Sequence, residues 1–376
     1  MLYIDTYQFD GEYLTWTTDG AKAGRVFYRN GKFNCTNVCG IAKLKPGFEH
    51  LFDLKFLQFY LNTITNYYVS IASGNPKLMN NVFEEILLPN ISLDLQLYCL
   101  KQIKPLEDAI EGIKKNLISP RDIINLVFGE ELGFKWKEFE IIQTKKRFNA
   151  TLKDFANNVD CRLSYKFHNK AGQFVYNFLC SKTNKRIKDF LSEAIVLGKS
   201  VSPSDYEEEG EFYYIAMSNI KTWAFDPEDC KKVSESYSLA NLNKTVKKGD
   251  ILLARSGEGT IGKVALIDDE DIQAIFADFT QRIRFTNYNL RLAYYYFRST
   301  FFQYLVYTHK KGLGNNTNIF PSQIQEFPIP DWTKEKQAEI VEKIKNQIDA
   351  QNSIDKEIEK NMAEINLIIE AAIKID

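Results

Sequence analysis

The side chains able to do chemistry in this sequence are cations, hydroxyls and amides set in glycine-bearing stretches. An adenine methyltransferase would need an Asn/Asp-Pro-Pro-Tyr/Phe motif, whereas Asn75-Pro76 is followed by Lys77. The run Gly257-Glu258-Gly259-Thr260 lacks the Gly-Lys-Ser/Thr ending of a nucleotide-binding loop. A nuclease would carry an Asp and a Glu-x-Lys on adjacent strands, but Glu335-Lys336 and Glu107-Asp108 both fall in helical patterns. Cys35 and Cys39 are the only close pair among six cysteines, and His50, His168 and His309 lie far apart. No metal or cofactor is therefore expected, and the thiols are expected reduced. Cations, hydroxyls and amides also gather in three loops: Thr17, Thr18, Lys22 and Arg25; Arg255, Ser256, Thr260 and Lys263; and Lys310, Lys311, Asn315 and Asn316. On exposed loops such groups can hold phosphates and hydrogen-bond to base edges. Each taken singly has a plainer reading, since Gly257 and Gly262 can simply shape a turn and Asn318 can cap one.

The elements that must position these clusters alternate between short strands and helices. Glu12 to Thr17 alternates apolar and polar residues and ends at Thr18-Asp19-Gly20, and a hairpin turn is expected at Arg29-Asn30-Gly31. Leu54, Phe56, Leu57, Tyr60, Leu61, Ile64 and Tyr67 recur at helical spacing up to Ser70. A long helix is expected from about Leu93 to Leu117, with the seam Ile103, Leu106, Ile110, Ile113 and Leu117 and a kink at Pro105. A second is expected from Trp332 to the end, with Thr333 as N-cap and the seam Ile344, Gln347, Gln351, Ile354, Ile358, Asn361 and Ile365. Amides in that seam call for a specific companion helix.

The same order of features occurs twice. Tyr13 to Gly20 leads into Gly24-Arg25-Val26 as Lys248 to Gly257 leads into Gly262-Lys263-Val264, and each is followed by a helix, an amide-bearing loop, a proline and a heptad helix. Gly24 pairs with Gly262, Asn81 with Asn318 and Gln96 with Gln337, at nearly constant offsets. A duplicated unit of globular domain plus long helix follows. Two such helices can satisfy each other's polar seam positions; about an approximate two-fold axis they would run antiparallel and act as a ruler.

The string Gly249-Asp250-Ile251-Leu252-Leu253-Ala254-Arg255-Ser256-Gly257, with Thr260-Ile261-Gly262-Lys263-Val264, Asn316-Thr317-Asn318-Ile319 and Ile329-Pro330 before Gln337, resembles the specificity subunits of type I restriction–modification systems. Tyr3 to Tyr13 and Gly31-Lys32-Phe33 are similar to the middle of a target recognition domain of that family. The resemblance covers Met1 to about Leu117 and about Lys185 to the end. It implies a non-catalytic subunit of α/β (α+β) class, with two target recognition domains separated by two long helices forming an antiparallel coiled coil. It implies double-stranded DNA as ligand, read as a split site, two adenine methyltransferase subunits docked on the helices, and restriction/translocase subunits reached through the complex. The three residue clusters above become the expected DNA contacts.

The expected domains are a partial first recognition domain (1–92), a first spacer helix (93–118), a connecting or docking segment (119–184), a second recognition domain (185–331) and a second spacer helix (332–376). The first domain is about 50 residues shorter ahead of its Gly24 than the second is ahead of Gly262. Completion by another polypeptide, a truncated or recombining gene copy, and a smaller variant domain all fit. A scaffold or decoy that binds the methyltransferase without reading a full site is the alternative function. In the connecting segment, Asp160 to His168 is similar to stretches that precede recognition domains in related fused enzymes. A hydrophobic fraction of 44% is ample for packed cores, and a net charge of -1 leaves any basic patch local, offset by runs such as Glu207 to Glu211. No apolar run suits a membrane and Met1 to Asp10 does not read as a signal peptide, so a cytoplasmic chain with no membrane partner is expected.

Overall fold

A computed structural model describes residues 5–71, 75–145, 147–156, 161–220, 222–228, 230–314 and 316–374. The chain divides into two units, residues 1–117 with 350–376, and residues 118–349. The first contains strands β1 (Glu12–Thr17), β2 (Val26–Asn30) and β3 (Cys39–Ala42), and helices α1 (Leu54–Ile64), α2 (Asn80–Phe83) and α3 (Leu93–Lys114). Its antiparallel sheet has the order β2-β1-β3. The apolar face expected from Leu54 onward forms α1, but the helix tightens into a 3-10 turn at Thr65–Tyr68 before reaching Ser70. Asp53 caps α1 by accepting hydrogen bonds from the amides of Lys55 and Phe56.

The second unit begins with α4 (Pro120–Leu132), α5 (Trp136–Thr144), α6 (Leu152–Ala156) and α7 (Lys170–Lys182). Strands β4 (Val196–Leu197), β5 (Phe212–Ile215) and β6 (Lys231–Val233), helix α8 (Glu235–Ala240), and strands β7 (Ile251–Ala254), β8 (Val264–Leu266), β9 (Ala274–Phe276) and β10 (Thr280–Ile283) follow. Helices α9 (Leu290–Arg298), α10 (Thr300–His309) and α11 (Pro321–Ile324) complete it. One sheet has the order β4-β10-β7-β8 and the other β6-β5-β9. Of the segment 119–184, expected as a connecting or docking segment, α4, α5 and α7 contribute to this unit's core. Ile123, Ile124, Val127, Phe128, Val175 and Leu179 are buried with Phe301, Phe302 and Leu305. Their apolar side chains alternate at helical spacing and find an aromatic surface on α9 and α10, which removes them from water.

The last helix, α12, runs without interruption over Lys334–Ile373, 40 residues. Its start is capped as expected, with the Thr333 hydroxyl accepting from the Lys336 amide. Ile340 and Ile344 lie in the core of the second unit, whereas Ile365, Ile369 and Ala372 lie in the core of the first, with Cys99, Ile103 and Ile110 of α3. Leu106, Ile113, Ile354, Ile358, Asn361 and Gln351 are half-buried along the same seams. Two seam assignments are corrected. Gln347 is exposed and Ile348 is the half-buried residue, because a helix with 3.6 residues per turn takes the apolar side chain at that step. Leu117 lies beyond the end of α3 at Lys114 and is 38% exposed. Pro105 sits inside α3 on its exposed side, and the helix continues through it.

The duplication is written into the hydrogen bonds. Gln96 is fully buried; its carbonyl accepts from the amide of Asp53, the cap of α1, and its side-chain amide donates to Ile91 O. Gln337 repeats this, accepting from the amide of Asn289, the cap of α9, and donating to Trp332 O. Tyr60 donates its hydroxyl to Leu87 O as Tyr296 donates to Pro328 O. The amide of Gly24 donates to Thr17 O as that of Gly262 donates to Ala254 O.

Candidate nucleic-acid interface

Each unit presents a pair of loops held together by backbone hydrogen bonds. In the second unit the loop between β7 and β8 meets the hairpin that follows α10. The Gly257 amide donates to Thr317 O (3.3 Å), and the Ile319 amide donates to Arg255 O (2.9 Å). Lys311 and Asn318 exchange both backbone bonds, at 2.8 and 2.7 Å. In the first unit the Gly20 amide donates to Pro76 O (2.9 Å), the Leu78 amide to Thr18 O (2.9 Å), and Ser70 and Lys77 exchange both bonds. Ser256 bridges Asn318 as Asp19 bridges Lys77. The residue equivalent to Asn318 is therefore Lys77, not the expected Asn81, because the two amide-bearing loops differ in length and sequence while the backbone bridge fixes the register. Gly257 and Gly262 have φ of 82° and 84°, a left-handed backbone that other residues adopt only with strain.

The cations are held in different ways. Arg255 donates Nε to Asp278 O (2.8 Å), with its guanidinium 5.8 Å from the Phe279 ring centroid. Lys263 Nζ lies 5.9 Å from the Trp223 ring. Arg25 and Arg29 both lie over Phe27, at 5.4 and 5.1 Å, and Lys22 is exposed. Planar or cationic heads held over rings keep a fixed orientation while remaining available to an anion. Thr17 is half-buried in its strand end, and the Thr260 hydroxyl donates to Ser256 O (2.7 Å). Ser256 is half-buried, Lys311 half-buried and Asn316 exposed; Asn315 lies outside the described residues.

Two residues expected on exposed loops are buried. Thr18 is 7% exposed, with its hydroxyl donating to the Asp19 carboxylate (3.1 Å). Lys310 is 6% exposed and its ammonium lies 2.8 Å from Glu258. A buried cation needs such a partner, and Glu258 supplies it. Glu258 also meets Lys166 (3.2 Å) and accepts from the Thr317 hydroxyl (3.2 Å). The hydrogen bond from Lys310 is the chief cause that holds its carboxyl down at about 2. Arg162 donates to the carbonyls of His309 (2.9 Å) and Lys310 (2.7 Å). Thus the stretch 161–168 straps the hairpin. Arg162, Ser164, Lys166, Lys310, Lys311 and Thr317 line an open cavity of about 570 Å³. Arg162, Lys166 and Glu258 become members of the site only in the fold, since nothing local in the sequence ties residue 166 to residue 258.

Among the described residues no group of three or more His, Cys, Asp or Glu side chains could hold a metal ion. Among them, too, no helix is long and apolar enough to cross a membrane.

A putative type I specificity subunit of Mycoplasma pneumoniae, S.MpnORF507P, is 26% identical over 340 residues, covering 90% of this chain and 75% of that protein. The protein named as the N-terminus of putative specificity subunit S.MpnORF289P, from the same organism, is 50% identical over 86 residues, 23% of this chain and 44% of that one. The crystal structure of a type I restriction–modification S subunit from M. genitalium aligns over 98% of this chain and 84% of its own, at 12% identity and a TM-score of 0.41. The family model described as "Type I restriction modification DNA specificity domain" matches residues 1–119 and 181–363, leaving out most of the α4–α7 segment. That family supplies the non-catalytic, DNA-recognising component of such systems, methylation being the work of a separate subunit. With the match spanning most of its length and both loop-bearing units, the chain belongs to the type I restriction–modification DNA specificity family.

Proposed function

We propose that each unit's pair of bridged loops contacts one half of a split DNA target, and that α3 and the C-terminal half of α12, running antiparallel, set the spacer between the halves. Two adenine methyltransferase subunits dock on the helical part, and restriction/translocase subunits join through the complex. The observation that carries this reading is the recurrence of one bridge pattern in both units, each with cations aligned beside it. Arg25, Arg29 and Lys22 flank the first; Arg255, Lys263 and Lys311 flank the second. Backbone-fixed loops with rigid cations suit phosphate positioning, which leaves nearby hydroxyls and amides to read base edges.

The test is a methylome. Cells carrying this chain and its methyltransferase partner should show adenine methylation at a two-part asymmetric motif, and absence of any such motif would sink the reading. With purified complex, Arg255→Ala or Lys263→Ala should weaken DNA binding with partner binding intact. If the lost contact is to phosphate, the slope of log affinity against log salt should fall by about 1.

A second reading is favoured by the smaller first unit, whose described residues hold one three-stranded sheet against two sheets in the second. It makes the chain a scaffold or decoy that binds methyltransferase without reading a full site. Capture of the methyltransferase with no sequence-dependent DNA retention would support it.

A further inference from the structure

The bridge pattern that makes the two units equivalent also locates what one has and the other lacks. Strand β3 corresponds to β10, since Cys39 pairs with Thr17 as Thr280 pairs with Ala254. The outer edge of β10 is covered by β4 through Gln281 with Leu197 and Arg282 with Val196. Just beyond, the Ser192 amide donates to Arg284 O (3.0 Å) and the Thr286 amide to Phe190 O (2.7 Å). A few residues earlier the same segment runs along the stretch that follows α11. Ile187 and Lys188 amides donate to the carbonyls of Phe327 and Gln325, both at 3.0 Å, and the Ile329 amide donates to Lys185 O (3.3 Å). Residues 185–197, which pass through a 3-10 turn at Ile187–Phe190 before the strand Val196–Leu197, thus form one strap that satisfies two backbone edges of the second unit.

The first unit leaves both corresponding edges open among its described residues. The outer edge of β3 pairs with no strand, and Lys43 and Lys45 beyond it are exposed. The run Glu84–Leu88 corresponds to Gln325–Ile329, as the matching bonds of Tyr60 and Tyr296 require. Ile329 is fully buried, yet Leu88 is 44% exposed and Leu87 is 79% exposed. Leu88's amide and the Ile86 and Glu84 carbonyls have no hydrogen bond among the described residues. Charge matches as well: Lys188 Nζ lies 2.8 Å from Glu326, and the equivalent Glu85 is exposed with no ion pair among the described residues.

Unpaired sheet edge beside exposed leucines is an arrangement that accepts a further strand, with the main chain giving affinity and side-chain pockets giving selectivity. We propose that the first unit binds a segment of a separate polypeptide, of the chemistry of Lys185–Leu197, a short turn followed by a strand. It would add along Glu84–Leu88 and then along β3, with a buried aliphatic side chain in the place of Ile187 and a cation opposite Glu85. The inference does not require either unit to touch DNA, so it stands or falls apart from the function proposed above.

The probe is a fluorescent synthetic peptide with the sequence Thr183 to Leu197, titrated by anisotropy into the full chain, with amide hydrogen exchange recorded on the same samples. Saturable binding is expected, with new protection at Ile86 to Leu88 and Gly40 to Lys45. Glu85→Lys, an exposed position whose change leaves the core alone, should weaken binding by about tenfold, and a peptide carrying Lys188→Glu should recover it on that variant. Absence of saturable binding, or binding indifferent to Glu85→Lys, would overturn the proposal. So would protection confined to residues 325–329, which would mean strap exchange in the second unit. Edges already protected in the free monomer, or protected on self-association of the chain, would likewise overturn it.

Discussion

At the scale of single residues, burial decides what a charged or polar group can do. Lys310 carries the same formal charge as Lys311, but Glu258 and the surrounding chain enclose it, so its role begins with holding the hairpin to the loop. His309 shows the same effect on a titration. It sits among Phe167, Tyr176 and Phe327, beside Arg162, and burial above all lowers its imidazole to about 4. The unfolded chain, with an ordinary value near 6.5, therefore binds the proton more readily, and stability should fall as pH drops from that value toward about 4. Between pH 8 and pH 5 the expected loss is about 2 kcal/mol. Urea unfolding at the two pH values measures it, and His309→Phe, which keeps the ring packing, should flatten the difference.

At the scale of elements, the two long helices are tied to their domains by a glutamine. Gln337 accepts the amide of Asn289 and donates to Trp332 O, so the first turn of α12 and the cap of α9 share one buried side chain. Gln337→Leu keeps the volume but leaves a buried donor and a buried acceptor unmatched. A cost of about 1–3 kcal/mol is expected, with the opposite units distinguishable because Gln96→Leu should act on the equivalent contact in the first unit. Thermal unfolding of both variants checks this, and a loss below a few tenths of a kcal/mol in both would mean the clamp is ornamental. The repeat of this clamp explains how two helices with little sequence in common start from the same place in their domains.

At the scale of the whole molecule, one 40-residue helix contributes its N-terminal part to one unit's core and its C-terminal part to the other's. On the proposed function, its length enters the spacer of the DNA target. Inserting seven residues after Asn352, in its exposed stretch, keeps the seam in phase apart from a small drift and adds about 10 Å of helix. The methylated motif should then gain about three base pairs between its halves. Methylome sequencing of cells expressing the variant reads this directly, and an unchanged spacer refutes the ruler.

Local patterns were enough to establish much of this protein. The periodicity of Ile103, Ile110, Ile354, Ile358 and Ile365 gave the long helices, the glycine-bearing strings gave the duplication and the family, and Gln96 and Gln337 were already paired by position. These are short-range signals, fixed by helix geometry and turn chemistry that a chain carries wherever it goes. The tertiary structure decided what depends on neighbours distant in sequence. It made Lys77 rather than Asn81 the counterpart of Asn318, moved the seam from Gln347 to Ile348, and buried Thr18 and Lys310. It brought Lys166 to Glu258 and drew α4, α5 and α7 into a core. Most of all, it distinguished two similar domains by what covers them: the strap over Phe327 to Ile329 is present in one, and among the described residues the matching Leu87 and Leu88 stand open in the other. Backbone pairing and burial are set by whichever segment arrives from elsewhere, and no local pattern of residues records that arrival.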